Sequence, residues 1–171
     1  SDWKKMAYNG IESGTWSGPL PADSSENAAE VTRITLTSDD KGRYDGNWIN
    51  IFRKDSADTT SSAGTETSIV FWFDGTGSTS QPTVSGAEAY VEVDISGGST
   101  HDDYAGLLKS AIDGVSNLSS SAVDTSGADA FLDVTQGLVG DVSNVTTNCG
   151  DVSLAVQTAG VSNVSDPKAL W

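Results

Sequence analysis

Few residues in this chain are equipped for chemistry. His101 is the only histidine and Cys149 the only cysteine. A Ser-His-Asp arrangement would need His101 as its base. That residue sits beside Asp102 and Asp103 at the expected start of a helix, and no Gly-x-Ser-x-Gly elbow accompanies it. A structural or surface role for His101 is expected. One histidine and one cysteine cannot assemble a zinc centre. A lone cysteine forms no internal disulfide, which points to folding in a reducing environment. Two loops are rich in oxygen, Asp74-Gly75-Thr76-Gly77-Ser78 and Ser38-Asp39-Asp40. Calcium is the cation such loops suit, but neither has the acidic ligand at the twelfth position that an EF-hand demands. Asp and Gly are also common in turns for backbone reasons alone. No cofactor is therefore expected. Gly97-Gly98 precedes the helix without a following Lys-Ser or Lys-Thr, so no phosphate loop is indicated. An acidic chain offers carboxylate pairs everywhere, which singles out no glycosidase pair. The chain reads as a non-enzyme.

Tryptophan is the more informative type. Trp48 and Trp72 fall in strand-like runs, where core packing is the ordinary explanation. Trp3, Trp16 and Trp171 fall outside those runs, with Tyr8 and the basic pair Lys4 and Lys5 close to Trp3. Exposed indoles are costly to leave in water, and aromatic side chains carry much of the energy at interfaces. Trp3, Lys4, Lys5, Tyr8, Trp16 and Trp171 are accordingly expected to bind a partner.

The elements that must carry these residues can be read from pattern. Residues 1–30 hold Gly10, Gly14, Gly18, Pro19 and Pro21 and read as an extended arm that gains order on binding. A single β-rich domain is expected over 31–160 and a tail over 161–171. Strand signals are Val31–Thr37, Trp48–Phe52, Ile69–Phe73 and Tyr90–Ile95. The third is apolar on both faces, so it belongs in the middle of a sheet covered twice. In the fourth, Val91, Val93 and Ile95 point inward, with Glu92 and Asp94 outward. Residues 54–67 are rich in Ser, Thr and Asp and read as a loop. A helix is expected over 101–115, with Tyr104, Leu107, Leu108, Ala111, Ile112 and Val115 in one stripe. Thr100 is its N-cap, Asp103 completes a capping box, and Gly114 marks its end. Beyond it, Ser121–Thr125 and Ala130–Thr135 suit a hairpin, and Val152, Leu154 and Val156 alternate in a last strand. The fold class is α+β: a mostly antiparallel sheet or sandwich with one packed amphipathic helix and an extended N-terminal arm.

The 171 residues make one domain of ordinary size, with 36% apolar residues, and include no apolar run long enough to span a membrane. The sequence opens without the charged-then-apolar pattern of a secretory signal. Three sequons, at Asn117, Asn144 and Asn163, read as chance in so Ser/Thr-rich a chain. The formal net charge is −15, and of the nine basic residues only Lys109 and Lys168 lie beyond residue 60. Binding a nucleic-acid backbone needs Lys and Arg to release counterions, so nucleic acid is excluded as a partner, and an anionic membrane with it. The acidic body favours solubility, or a basic partner.

The order of these segments resembles a module of structural proteins of tailed bacteriophages, notably marine and cyanobacterial ones. Asp45-Gly46-Asn-Trp-Ile49-Asn-Ile51 matches its "D-G-x-x-I-x-I" strand, Phe71-Trp72-Phe73-Asp74 its "F-x-F-D" strand, and Val91-Glu-Val-Asp-Ile95 its "V-x-V-D-I" strand. The Thr100-capped helix ends in Ala111-Ile112, and Phe131-Leu-Asp-Val-Thr135 follows in place of a "V-x-L-T" strand. Asp2-Trp3-Lys4-Lys5 is similar to the start of some virion proteins. The resemblance covers about residues 31–146, and the insertion at 54–67 departs from the compact versions. It implies a non-enzymatic virion component assembled in the host cytoplasm. A capsid decoration or cement protein fits best, bound to the major capsid protein or other virion subunits and homo-oligomeric or held in the lattice. A tail tube, collar or fibre protein, or a carbohydrate-binding module, are the alternatives.

Overall fold

The structure is a computed structural model that describes residues 27–58 and 63–162. Over the described residues it is an α+β fold of two four-stranded sheets and one α-helix. The strands are β1 (Val31–Leu36), β2 (Trp48–Lys54), β3 (Glu66–Asp74), β4 (Ala89–Asp94), β5 (Leu118–Ser120), β6 (Ala130–Gln136), β7 (Thr146–Thr147) and β8 (Val152–Thr158). Helix α1, His101–Asp113, separates the first four strands from the last four.

One sheet has the order β5-β6-β1-β8 and the other β4-β3-β2-β7. In β1 and β6 the side chains alternate strictly, so Thr32, Ile34 and Leu36 turn to the same interior as Ala130, Leu132 and Val134. Arg33, on the outer face, makes a two-pronged pair with Asp133 at 2.8 and 2.9 Å and lies 3.9 Å over the Phe131 ring. Strand β3 lies between β2 and β4, as its two-faced apolarity predicts. Ile69, Phe71 and Phe73 enter the main core with Ile49, Ile51 and Val93, while Val70 and Trp72 are buried on the opposite face.

Pairing of β3 with β4 is parallel, in contrast to the antiparallel remainder. Parallel neighbours cannot be joined by a tight turn, so the chain crosses over through residues 75–88. Val84 in that crossover binds the Tyr90 hydroxyl, its N–H donating at 3.0 Å and its carbonyl accepting at 3.3 Å. Tyr90 is in register with Val70, so the crossover runs over the face opposite the core. Coverage on both sides is why this strand can be apolar at every position from Ile69 to Phe73.

The capping box forms as expected. Thr100 Oγ1 accepts the Asp103 N–H at 3.4 Å, and the Asp103 carboxylate accepts the Thr100 N–H at 3.2 Å. The helix buries Tyr104, Ala105, Leu108 and Ile112 and ends at Asp113, with Gly114 as its C-cap. Leu107 departs from the expected stripe; it is 38% exposed at the rim, and Ala105 is buried instead. The Tyr44 ring bridges helix and sheet, 5.5 Å from the rings of both Phe73 and Tyr104.

Other expectations shift. Ser121–Thr125 is not the first arm of the hairpin, which is Leu118–Ser120, and past it only Asp124 bridges Phe131. The cause is local: Ser121 Oγ takes the Asp133 N–H at 3.0 Å, so a side chain replaces the carbonyl that a ladder would use. Residues 54–67 are not loop throughout, because Lys54 pairs with Glu66 and Arg53 with Thr67 at the end of the β2–β3 hairpin. Polar side chains do not stop the ladder where their polar ends find partners.

Candidate interaction surface

His101 and Cys149 both have hydrogen-bond partners within the fold. His101 opens α1, and its Nδ1 lies 2.5 Å from Asp39 Oδ1, which also accepts the His101 backbone N–H at 2.9 Å. Its Nε2 lies 3.4 Å from Asp102 Oδ1. Both ring nitrogens thus face carboxylates, and Asp39 ties the β1–β2 turn to the start of the helix. The same contacts, the backbone N–H of His101 first, hold the Asp39 carboxyl below its ordinary range. Cys149 is buried, with its Sγ 3.5 Å from the Arg43 carbonyl, and burial pushes its thiol up.

Apart from Asp39, the oxygen-rich loops spend carboxylate oxygens on their own backbone. Asp74 Oδ1 accepts N–H groups from Thr76, Gly77, Ser78 and Thr79 at 2.7–3.2 Å. Asp45 Oδ1 accepts from the Gly75 N–H at 2.8 Å and from Thr79 Oγ1 at 2.5 Å. Burial alone would raise the Asp74 carboxyl; the hydrogen bonds of Thr79, Thr76 and Gly77 outweigh it and hold it low. In the other loop Asp40 Oδ1 caps a single 3-10 turn through the Gly42 N–H at 3.0 Å. Among the described residues no group of three or more His, Cys, Asp or Glu side chains is arranged to hold a metal ion. No helix among them is long and apolar enough to cross a membrane.

Trp48 and Trp72 stand opposite each other across β2 and β3, on the sheet face away from the core. Trp72 is 5% exposed and Trp48 half-buried. The six expected anchors, Trp3, Lys4, Lys5, Tyr8, Trp16 and Trp171, lie outside the described residues. What the structure does fix is where their segments join the domain. Ala28 and Val161 form an antiparallel bridge, and Ala29 pairs with Gly140. Pairing therefore begins inside the stretch expected as arm, and the chain enters and leaves the sandwich on adjacent strands at one pole.

A buried polar cluster secures that pole, and sequence reasoning missed it. Lys54 is 1% exposed. Its Nζ lies 2.8 Å from Asp58 Oδ1 and donates at 2.8 Å to the Asp141 carbonyl. The Lys54 bond pulls the Asp58 carboxyl down. Gln136 binds β2 with both ends of its amide, accepting the Lys54 N–H at 3.0 Å and donating to the Phe52 carbonyl at 2.7 Å. Glu30 is also buried; desolvation raises its carboxyl, against a bond from Thr32 Oγ1 at 3.0 Å. Gly140, at φ 118°, leaves room for Lys54 and Asp58, since a Cβ there would lie 2.5 Å from Asp58 Oδ2. The one sequence signal was a lysine four residues before Asp58, at the start of a segment that read as loop.

The two open sides of the sandwich differ. At the side formed by β4 and β5, α1 packs across the gap and also touches β6 and β1. At the opposite side stand β7, two residues long, and β8, seven residues long. Thr32, Ile34 and Leu36 pair with Val156, Leu154 and Val152, so these three apolar residues of β8 share the interior face. Only Val152 is fully covered there; Leu154 is half-buried and Val156 is 49% exposed. The expected alternation of the last strand is thus present, but it looks into an open seam. A recess of about 240 Å³ follows that seam, lined by Thr32, Asn144, Val145, Leu154, Ala155 and Val156.

No protein-family model, curated protein or solved structure matches this chain.

Proposed function

We propose that this chain is a non-enzymatic virion structural protein, a capsid decoration protein that bridges shell subunits. The observation that carries the reading is the Ala28–Val161 bridge. It launches both aromatic-bearing segments, the one with Trp3, Lys4, Lys5, Tyr8 and Trp16 and the one with Trp171, from one pole of a rigid sandwich. Aromatic anchors delivered from a single point suit gripping a neighbouring surface. The acidic body, which dominates the net charge of −15, then faces water and repels its like on a crowded shell. The likeness of residues 31–146 to a phage virion module supports the same assignment. The mechanism is linkage: a small protein that buries surface on two or more closed-shell subunits stabilises the closed shell by its binding free energy.

Electron microscopy of intact particles tests this. Density for the sandwich on the outer capsid, with its Ala28–Val161 pole toward the shell, is the expected result. Density only in the tail would move the protein there, and none on any particle would overturn the reading. Purified protein added to undecorated capsids is expected to bind, and Trp16→Ala to weaken that binding about tenfold or more, as loss of an interface hot spot does.

A further inference from the structure

We propose that β8 is a self-pairing edge, joining two copies of this chain across a twofold axis into one continuous eight-stranded sheet. Strand β8 pairs with β1 on one side and, among the described residues, with no strand on the other. Ser153 and Ala155–Thr158 are exposed. A long exposed edge presents unpaired N–H and C=O groups, and proteins ordinarily protect such edges with charges, proline or an overlying element. Among the described residues nothing overlies this edge and it carries neither charge nor proline; its one irregularity, the register shift where Thr32 pairs with Val156 and Val31 with Thr158, lies beyond Leu154–Val156. Its sequence, VSLAVQT, is uncharged, whereas the far edge of the other sheet, β4, carries Glu92 and Asp94. Edge β5 is three residues long and lies against α1.

The charge pattern selects a second copy as the occupant. At a net charge of −15, two copies repel wherever acidic faces meet. A neutral strand removes that penalty. The charges next to β8 are already paired: Arg33, opposite Ala155, with Asp133 at 2.8 Å, and Asp151, which precedes Val152, with Arg43 at 2.6 Å. Antiparallel pairing of identical strands is isologous, so it closes at two and forms no filament.

Side-chain pattern fixes the register. Centring the pair on Ala155 sets Ala155 against its own copy, Leu154 against the partner's Val156, and Val156 against the partner's Leu154. That register matches half-buried Leu154 with exposed Val156 across the strands, the apolar pairing that stabilises sheets. It also brings the two open seams together, each recess lined by Leu154, Ala155 and Val156 meeting its equivalent. A slip of one residue would set the partner's Val156 against Ala155 and break the apolar pairing.

Full-length protein tests this without any virus particle, so its outcome is separate from that of the capsid experiment. Sedimentation equilibrium at ~10–100 µM is expected to show a dimer. Ala155→Lys sets like charges against each other on the axis and is expected to weaken the dimer about tenfold or more, while melting as wild type does at concentrations low enough that both proteins are monomers. Leu107→Lys, at another exposed position on α1, is expected to leave it intact. Directly opposed residues of antiparallel strands have Cα atoms about 4.5–5.5 Å apart, within disulfide reach. Ala155→Cys is therefore expected to crosslink readily to its copy under mild oxidation, while Gln157→Cys, opposite the partner's Ser153, does not; the native Cys149 is buried. A wild-type monomer at ~100 µM, or equal crosslinking at 155 and 157, would overturn the proposal.

Discussion

Ala28 and Val161 hold one another by both backbone hydrogen bonds, each N–H reaching the other's carbonyl at 2.9 Å. Ala28 also accepts the Gly140 N–H at 3.0 Å, so three separated stretches of chain meet at that residue. The pole from which the aromatic segments depart is a closed piece of sheet, not a frayed end.

Ala28→Pro removes the donor to the Val161 carbonyl. The expected cost is about 1–3 kcal/mol, that of leaving one backbone partner unsatisfied. Urea denaturation gives the magnitude. Faster amide exchange at Gly140 and Val161, with exchange in α1 unchanged, would place the loss at the pole. An unchanged midpoint would show that the bridge contributes nothing to stability.

Lys54 is the buried charge of that pole. Lys54→Ala leaves Asp58 and the Asp141 carbonyl without their partner, and a broken buried pair costs about 3–5 kcal/mol. Asp58 keeps some solvent contact, which puts the expectation at the lower end. Lys54→Met, which keeps the apolar stem, is expected to cost less when tested together with Asp58→Asn than alone. Additive losses in that double-mutant cycle would refute a coupled pair.

At the start of α1, Thr100→Ala removes one half of the capping box and is expected to cost about 1 kcal/mol. Asp103→Asn on that background is expected to add little, because the two side chains serve one reciprocal arrangement. Thermal melts of the single and double variants decide it; two full, additive losses would contradict the shared role.

The Asp74 loop carries a pH signature. Hydrogen bonds hold the Asp74 carboxyl below its ordinary value of 3.8, so its folded form binds a proton less readily than the unfolded chain. Its stabilisation is therefore complete above about pH 4 and is lost as pH falls through the lowered folded value. Asp74→Asn is expected to be less stable than wild type at pH 6, with the gap closing toward pH 2. Comparing the two proteins cancels the general effect of protonating the other carboxylates. A gap that stays constant with pH would mean the carboxylate charge is not what the loop uses.

Periodicity made the main elements legible. Helix α1 showed itself through the Thr100–Asp103 box and the spacing of Tyr104, Leu108 and Ile112, because a helix meets the core along one stripe and its end needs donors capped. Strand β3 showed itself as central, because only a strand covered twice can be apolar at Val70 and Trp72 as well as at Phe71 and Phe73. These are local facts, set by the chain within a few residues of itself.

Partnership between distant residues was decided by the tertiary structure alone. Nothing near His101 announced that Asp39 would take both its backbone N–H and its ring nitrogen. Nothing in VSLAVQT distinguished an edge strand from a buried one, since its alternation is the same whether or not a second sheet closes over Leu154 and Val156. Lys54 looked like loop because burying an ammonium is prohibitive until Asp58 and the Asp141 carbonyl are brought to it. Sequence determines which face of an element is apolar; only the assembled fold determines what meets that face, because the contact depends on topology and not on spacing.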